Sequence, residues 1–369
     1  MVNVHQKPLV ELPEQDSEKS TVTVRSYRPG DEKQILELWK NIFQRERTLL
    51  HWNWKFNNNP YSNVQTSLAI SSENSQIIGQ YAVIPVKLNF RGVPILAAQV
   101  VDLMTHPDFR RKGISLKLAK HCFEQLIKNN FALVFSFFSK TSYPGHVSRL
   151  DFKPITPLKQ YWLRLNLSYG KMFNLPYRIW LNMKLMKERY VLKHWPDNVT
   201  FRLTKNLTFQ HSKTVPDNYN VLWESMKPYE VFSLWKDSKY FIWRYDQNPD
   251  HDFDYFYLLN GNEIIGLSVA LVSSNKDVTI CELLVKDRNV LNGRFLINKI
   301  VSYYIKKGYR KIRFIGSDLG FFDEVFKRFH SEIWFGIVFC VKTLSNLKLQ
   351  EYITPSANWT LSFGDIDLV

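Results

Sequence analysis

Between Val100 and Ser115 the chain reads Val-Val-Asp-Leu-Met-Thr-His-Pro-Asp-Phe-Arg-Arg-Lys-Gly-Ile-Ser. An apolar, strand-like run gives way to three successive cations and a glycine. Apolar residues at helical spacing then follow at once, namely Leu116, Leu118, Ala119, Phe123, Leu126 and Ile127. The start of a helix exposes N–H groups with no internal acceptor and carries the positive end of the helix dipole. Gly113 lets an anion approach the main chain, and Arg110, Arg111 and Lys112 neutralise it. That assembly suits a pyrophosphate. The spacing GxxxxGK[ST] is absent, so a nucleotide-hydrolysing phosphate loop is not supported.

The elements needed to position this loop are legible around it. Val22–Ser26 alternates as a strand, and Pro29-Gly30-Asp31 makes a turn into an amphipathic helix through Ile35, Leu36, Leu38, Trp39, Ile42 and Phe43, with Asp31 placed as its N-cap. Ser67–Ile70 and Ile78–Val86 read as strands, and Val86–Phe90 with Pro94–Val101 flank the hairpin signal Arg91-Gly92. Phe131–Phe138 reads as a buried strand after the stop Asn129-Asn130. This order, a hairpin meander plus one crossover helix, predicts an α/β or α+β mixed sheet.

The chain also repeats itself. Trp54-Lys55-Phe56-Asn57-Asn58-Asn59-Pro60 aligns with Trp243-Arg244-Tyr245-Asp246-Gln247-Asn248-Pro249. Ile77-Ile78-Gly79 then aligns with Ile264-Ile265-Gly266, and Val101-Asp102-Leu103 with Cys281-Glu282-Leu283. The separation shortens from match to match, as it would if the second copy had shorter hairpins. Upstream, the first helix has its counterpart in Val221, Leu222, Trp223 and Met226, preceded by a strand at 200–207. Aromatic residues Trp52, Trp54 and Phe56 recur in the second copy, which favours packing, with sugar stacking as the alternative.

With 369 residues, 45% of them hydrophobic and 15% aromatic, the chain has material for two cores and is not disordered. Cys122, Cys281 and Cys340 are scattered, so neither a disulfide framework nor a thiolate metal site is expected. No secretory leader or membrane-spanning run is read, and a cytoplasmic location is the expectation. The excess of 49 Lys and Arg over 34 Asp and Glu, +15, points to a polyanionic partner or to no more than a Lys-rich proteome. A basic amphipathic helix is expected between Met172 and Tyr190, as a linker or as a peripheral membrane contact.

The segment Arg110 to Ser115 resembles the cofactor signature of the GNAT acyl-CoA N-acyltransferase superfamily, [RQ]xxGx[GA], with Arg110 and Gly113 matching and Ser115 standing where the family prefers Gly or Ala. Thr105-His106-Pro107 and Tyr27-Arg28-Pro29-Gly30-Asp31 are similar to the family as well. The resemblance implies two tandem GNAT-like domains, with acetyl-CoA as cosubstrate and no metal. Backbone groups of Leu103, Met104 and Thr105 would hold the pantetheine, and Arg110, Arg111, Lys112, Gly113, Ile114 and Ser115 the pyrophosphate. It further implies Asp102 as a base on the fourth strand, with a structural carboxylate as the alternative. The family's tyrosine acid falls on Val147, leaving Tyr143 and His146 as substitutes. The second copy's loop, Lys286 to Gly293, lacks the Arg-x-x-Gly spacing and is expected to be degenerate.

The expected organisation is a tail at 1–20, a cofactor-binding domain at 21–160, a linker at 161–198, the degenerate domain at 199–345 and a tail at 346–369. In that tail Asp365 and Asp367 are expected to solvate the terminus, with facing the cleft as the alternative. The expected activity is direct N-acyl transfer to an amine of a small molecule or amino sugar, without nucleic acid. The alternatives are an aminoacyl-tRNA-dependent transferase of the peptidoglycan-bridge type and a non-catalytic CoA-binding module.

Overall fold

The computed structural model describes residues 22–165, 207–317, 319–344 and 349–367. The linker helix expected at 172–190 and most of the strand expected at 200–207 lie outside them. Val22 and Val24 alternate in β1 (Val22–Ser26), which pairs antiparallel with β2 (Gln65–Ser71). Between them run α1 (Glu32–Phe43) and α2 (Leu49–Trp52), the latter continuing into a π-turn at Asn53–Asn57. Asp31 precedes α1 but does not cap it. Its carboxylate accepts from the Arg25 guanidinium at 2.7 and 2.8 Å and from the Arg28 N–H at 2.8 Å. The bidentate Arg25 fork and the Arg28 N–H occupy both carboxylate oxygens and hold them away from the helix N–H groups.

The long hairpin β3 (Ile77–Phe90) and β4 (Val93–Thr105) turns at Arg91 and Gly92, whose φ angles of 50° and 85° are those of a two-residue hairpin turn. Helix α3 (Ile114–Lys128) crosses over to β5 (Leu133–Ser139), which runs parallel to β4, and α4 (Tyr143–Leu150) follows. The second repeat runs in the same order. It comprises β7 (Leu207–Ser212), α5 (Tyr219–Met226), the short β8 (Phe232–Leu234), α6 (Ser238–Phe241) with its own π-turn, β9 (Phe253–Asn260), β10 (Glu263–Val272) and β11 (Asp277–Val285). Helix α7 (Val290–Lys306), β12 (Lys311–Gly316) and α8 (Leu319–Val325) complete it.

The two repeats exchange their last strands. β6 (Lys153–Arg164), which follows the first repeat, pairs antiparallel with β12 of the second. β13 (His330–Thr343), which follows the second, pairs antiparallel with β5 of the first. β6 and β13 also pair with each other, so the described strands form one continuous mixed sheet, β1-β2-β3-β4-β5-β13-β6-β12-β11-β10-β9-β7, with β8 bound to β3. The repeated Trp motif packs against itself at the join. Trp54 Nε1 donates to the Trp243 carbonyl at 2.6 Å, Trp243 Nε1 donates to the Trp54 carbonyl at 2.9 Å, and the rings stack at 5.9 Å. One hydrophobic cluster accordingly spans both halves.

The segment 349–367 is no loose tail. Ile353, Trp359, Leu361, Phe363, Asp365 and Ile366 are all buried. Of the two acidic residues expected to solvate the terminus, Asp365 is inside the molecule and Asp367 borders a cavity. No helix among the described residues is long and apolar enough to cross a membrane, and none of their acidic, His and Cys side chains cluster as a metal site.

Candidate active site

The parallel strands β4 and β5 pair only from Ala97 opposite Leu133 to Gln99 opposite Phe135. Beyond that point they diverge, with the Ser136 hydroxyl donating to the Val100 carbonyl at 2.9 Å across the opening. A bulge makes β4 veer. Opposite β3, Val101 faces Ala82 and Met104 faces Gln80, so two residues on β4 meet one on β3, and Asp102 takes φ 48°. His106 N–H donates to the Ile78 carbonyl at 2.8 Å, which makes Met104 the preceding bonded position along the antiparallel pair. The trans peptides on either side therefore turn the Leu103 carbonyl and the Thr105 N–H away from β3, towards the gap.

After β4 a single 3-10 turn, Pro107–Phe109, leads to Arg110, whose Nε donates to the Thr105 carbonyl at 3.2 Å. Arg111 and Gly113 have φ of 64° and 72°, and α3 starts on the buried Ile114. No side chain among the described residues caps α3, and Leu116 and Lys117 are the first residues whose N–H groups reach the Gly113 carbonyl. The Ile114 and Ser115 amides stay available, and a Cβ added at Gly113 would meet nothing within 4 Å. Arg110, Arg111, Lys112 and Gly113 are exposed. Arg110, Arg111, Gly113, Ile114 and Ser115 border a cavity of about 560 Å³, closed by Leu103–Thr105, by Ser142 and by the α4 residues Gly145, His146 and Arg149. Lys112 does not line it and lies 5.1 Å over the Phe109 ring. Sequence reasoning missed Gly145 and Arg149, which reach the site only because α4 folds over it.

A second cavity, about 420 Å³, opens on the other side of the gap and shares Leu103, Thr141 and Ser142 with the first. Phe43 of α1, Gln99 to Asp102 of β4, Ser136 to Ser139 of β5, Ile337 of the exchanged β13 and Asp367 of the C-terminal segment enclose it. Asp102 is at its floor, in an ionic cluster. Its carboxylate pairs with Arg47 and lies 3.2 Å from Lys55 Nζ, while Lys55 also binds Asp367 Oδ2 at 2.5 Å. Arg47 is held 3.4 Å over the Trp39 ring. Burial would raise the Asp102 carboxyl, but the Lys55 and Arg47 charges outweigh it and hold the group below its ordinary value.

His146 is buried among Phe138, Tyr81 and Phe152. Its Nδ1 is 2.8 Å from the Ser142 carbonyl and therefore carries the proton, and its Nε2 is buried without a partner among the described residues. Burial lowers its pKa, opposed by the Ser142 hydrogen bond. Tyr143, in the first turn of α4, packs on the core of the first repeat and borders neither cavity.

The second repeat presents the opposite picture. Asn289 caps α7, accepting from the Asn292 N–H at 3.0 Å, and Arg288 is bound to the Thr360 hydroxyl at 2.7 Å. The gap between β11 and β12, which pair only from Asp277 to Ile280, is filled by the C-terminal segment. Ser362 bridges Gly316, and Ser317 N–H donates to the Leu361 carbonyl at 3.1 Å. Glu282, the counterpart of Asp102, is bonded by Tyr245 at 2.6 Å and by Lys236 and Ser362 at 2.7 Å each.

Residues 23–148 match the family model described as an acetyltransferase (GNAT) domain, whereas no curated protein matches the chain. Among solved structures, a GCN5-related N-acetyltransferase from Kribbella flavida aligns at a TM-score of 0.60 and 11% identity, over 88% of this chain and 71% of that one. A tandem GNAT protein from the clavulanic acid biosynthesis pathway aligns at 0.54 and 11%, over 88% and 99%. Saccharomyces cerevisiae N-myristoyltransferase with bound myristoyl-CoA aligns at 0.55 and 13%, over 92% and 82%. The chain has the fold of tandem GNAT proteins, and its first repeat matches the GNAT acetyltransferase domain model over residues 23–148.

Proposed function

We propose that the protein is an acyl-CoA-dependent N-acyltransferase that works through its first repeat, with acetyl-CoA as cosubstrate and a small-molecule amine or amino sugar as acceptor. The observation that carries this reading is the meeting of two cavities at the β4–β5 gap, across Leu103, Thr141 and Ser142. One cavity has the cations and free amides that suit a pyrophosphate, and the other admits an acceptor from the opposite side. Acyl-CoA supplies the activated acyl group, whose thioester carbonyl the amine nitrogen attacks as the thiol departs.

The residues divide the work as follows. Arg110, Arg111, Arg149 and the Ile114 and Ser115 amides bind the diphosphate. The Leu103 carbonyl and the Thr105 N–H align the pantetheine arm, and a peptide N–H beside the gap polarises the carbonyl. We read Asp102 as a positioning residue that fixes Arg47 and Lys55, because its oxygens are occupied and its pKa is lowered. We assign His146 to shaping the cofactor cavity as a neutral ring, and Tyr143 to packing. Protons then leave and enter through water at the cavity mouths, in a reaction governed by proximity.

Titration of the protein with acetyl-CoA by calorimetry, alongside free-thiol release with an amine panel, tests the proposal. Arg110→Ala is expected to weaken acetyl-CoA binding about tenfold, the loss of one charge-assisted hydrogen bond of ~1.5 kcal/mol. Gly113→Asp, which brings a carboxylate to the anion site, is expected to abolish binding. Unchanged affinity in both variants would overturn the cofactor assignment. Stabilisation by aminoacyl-tRNA but not by acetyl-CoA would favour the aminoacyl transfer alternative instead.

A further inference from the structure

The C-terminal segment crosses from one repeat to the other. Trp359 stacks on Phe232 at 4.5 Å, and Leu361 and Ser362 run along the end of β12. Gly364 sits where no side chain fits, since an added Cβ would lie 2.0 Å from the Tyr245 hydroxyl and 2.5 Å from Glu282 Oε1. Arg244 then grips the Gly364 carbonyl at 3.2 Å and the Ile366 carbonyl at 2.7 Å, and Gln99 of the first repeat donates to the Asp365 carbonyl at 3.0 Å. The next residue but one, Asp367, emerges at the acceptor cavity of the first repeat.

Four charged groups meet there, and they differ in reach. The side chains of Lys55 and Asp102 are 2% and 5% exposed, and Arg47 is 11% exposed, whereas Asp367 is 20% exposed. Both Asp102 oxygens are engaged, one by Arg47 and one by Lys55. Asp367 is engaged through Oδ2 alone, and its Oδ1 has no partner among the described residues.

The geometry points to Asp367 as the carboxylate that recognises the cationic amine of the acceptor, carried into the first repeat's cavity by a strap anchored in the second. This inference rests on the acceptor reading of that cavity. It gives the second repeat a function, because its own gap is filled by the strap and its helix terminus is capped, yet it holds the residue that selects the acceptor. A neutral polyol or a carboxylic acid finds no equivalent partner at that position.

The test uses the full chain saturated with CoA, titrated with glucosamine, cadaverine and spermidine. The wild type is expected to bind at least one of these amines. Asp367→Asn, nearly isosteric, should weaken that binding about tenfold or more while leaving the Kd for CoA within about twofold. Asp367→Glu should retain it, and Gly364→Ala, which lifts the strap from its seat, should reproduce the loss. Wild-type amine affinity in Asp367→Asn overturns the inference, as does an equal loss of CoA affinity or an absence of amine binding by the wild type. Should CoA itself fail to bind, the cofactor reading falls separately, and the amine titrations run without CoA still decide the role of Asp367. Thermal melts of each variant exclude a loss through unfolding.

Discussion

Asp102 shows how one position can be legible in type and opaque in role. Its place on the strand before the basic loop is visible in the sequence, but its partners are not. Arg47 follows α1, and Lys55 lies inside a buried aromatic turn that reads as packing alone. The signal available was a cation between Trp54 and Phe56, matched by Arg244 between Trp243 and Tyr245. Removing one partner of a buried ion cluster leaves the others uncompensated, so Asp102→Ala is expected to cost about 3 kcal/mol, read from the denaturant midpoint. The depressed Asp102 pKa also sets a sign. Its contribution is complete above the unfolded value, ~3.9, and is lost as pH falls through the lower folded value. Asp102→Asn should therefore flatten the acid limb of the stability profile, and an unchanged limb would contradict the ionic cluster.

At the scale of elements, the two helix starts after β4 and β11 differ in whether their first amides are left open. Gly113 leaves α3 uncapped beneath three exposed cations, whereas Asn289 satisfies α7 from its own side chain. Gly113→Ala should lower stability by about 1 kcal/mol, since φ of 72° disfavours a Cβ although there is space for one. The strap has a pH dependence of its own. Asp365 Oδ1 lies 2.7 Å from Lys236 Nζ, in charge contact without hydrogen-bond alignment, and shares that lysine with Glu282. Burial raises the Asp365 carboxyl to about 6, Lys236 opposes the rise, and Glu282 adds to it. A raised group stabilises fully below its unfolded value and loses that contribution as pH rises through about 6. The stability difference between wild type and Asp365→Asn should accordingly shift between pH 4.5 and 7.5, and a pH-independent difference would refute it.

For the molecule as a whole, the exchanged strands make the halves interdependent. Expressed alone, residues 22–165 would present β5 without β13 and β6 without β12, two long unpaired edges. That fragment is expected to be insoluble, and co-expression with the remainder of the chain is expected to recover a soluble complex. A soluble, folded monomer of the fragment would show the exchange to be dispensable.

The element order, the hairpin at Arg91-Gly92 and the basic loop were legible because each rests on neighbouring residues, through side-chain periodicity, turn chemistry and a helix start, and the repeat was legible because one such local motif recurs. The partners of Asp102, the filling of the second gap and the placement of Asp367 were decided by tertiary structure. They join residues such as Lys55 and Asp367, 312 positions apart, whose meeting depends on how the two repeats join. Local pattern encodes which elements form, while charge pairing and burial across the join select which of two similar clefts stays open.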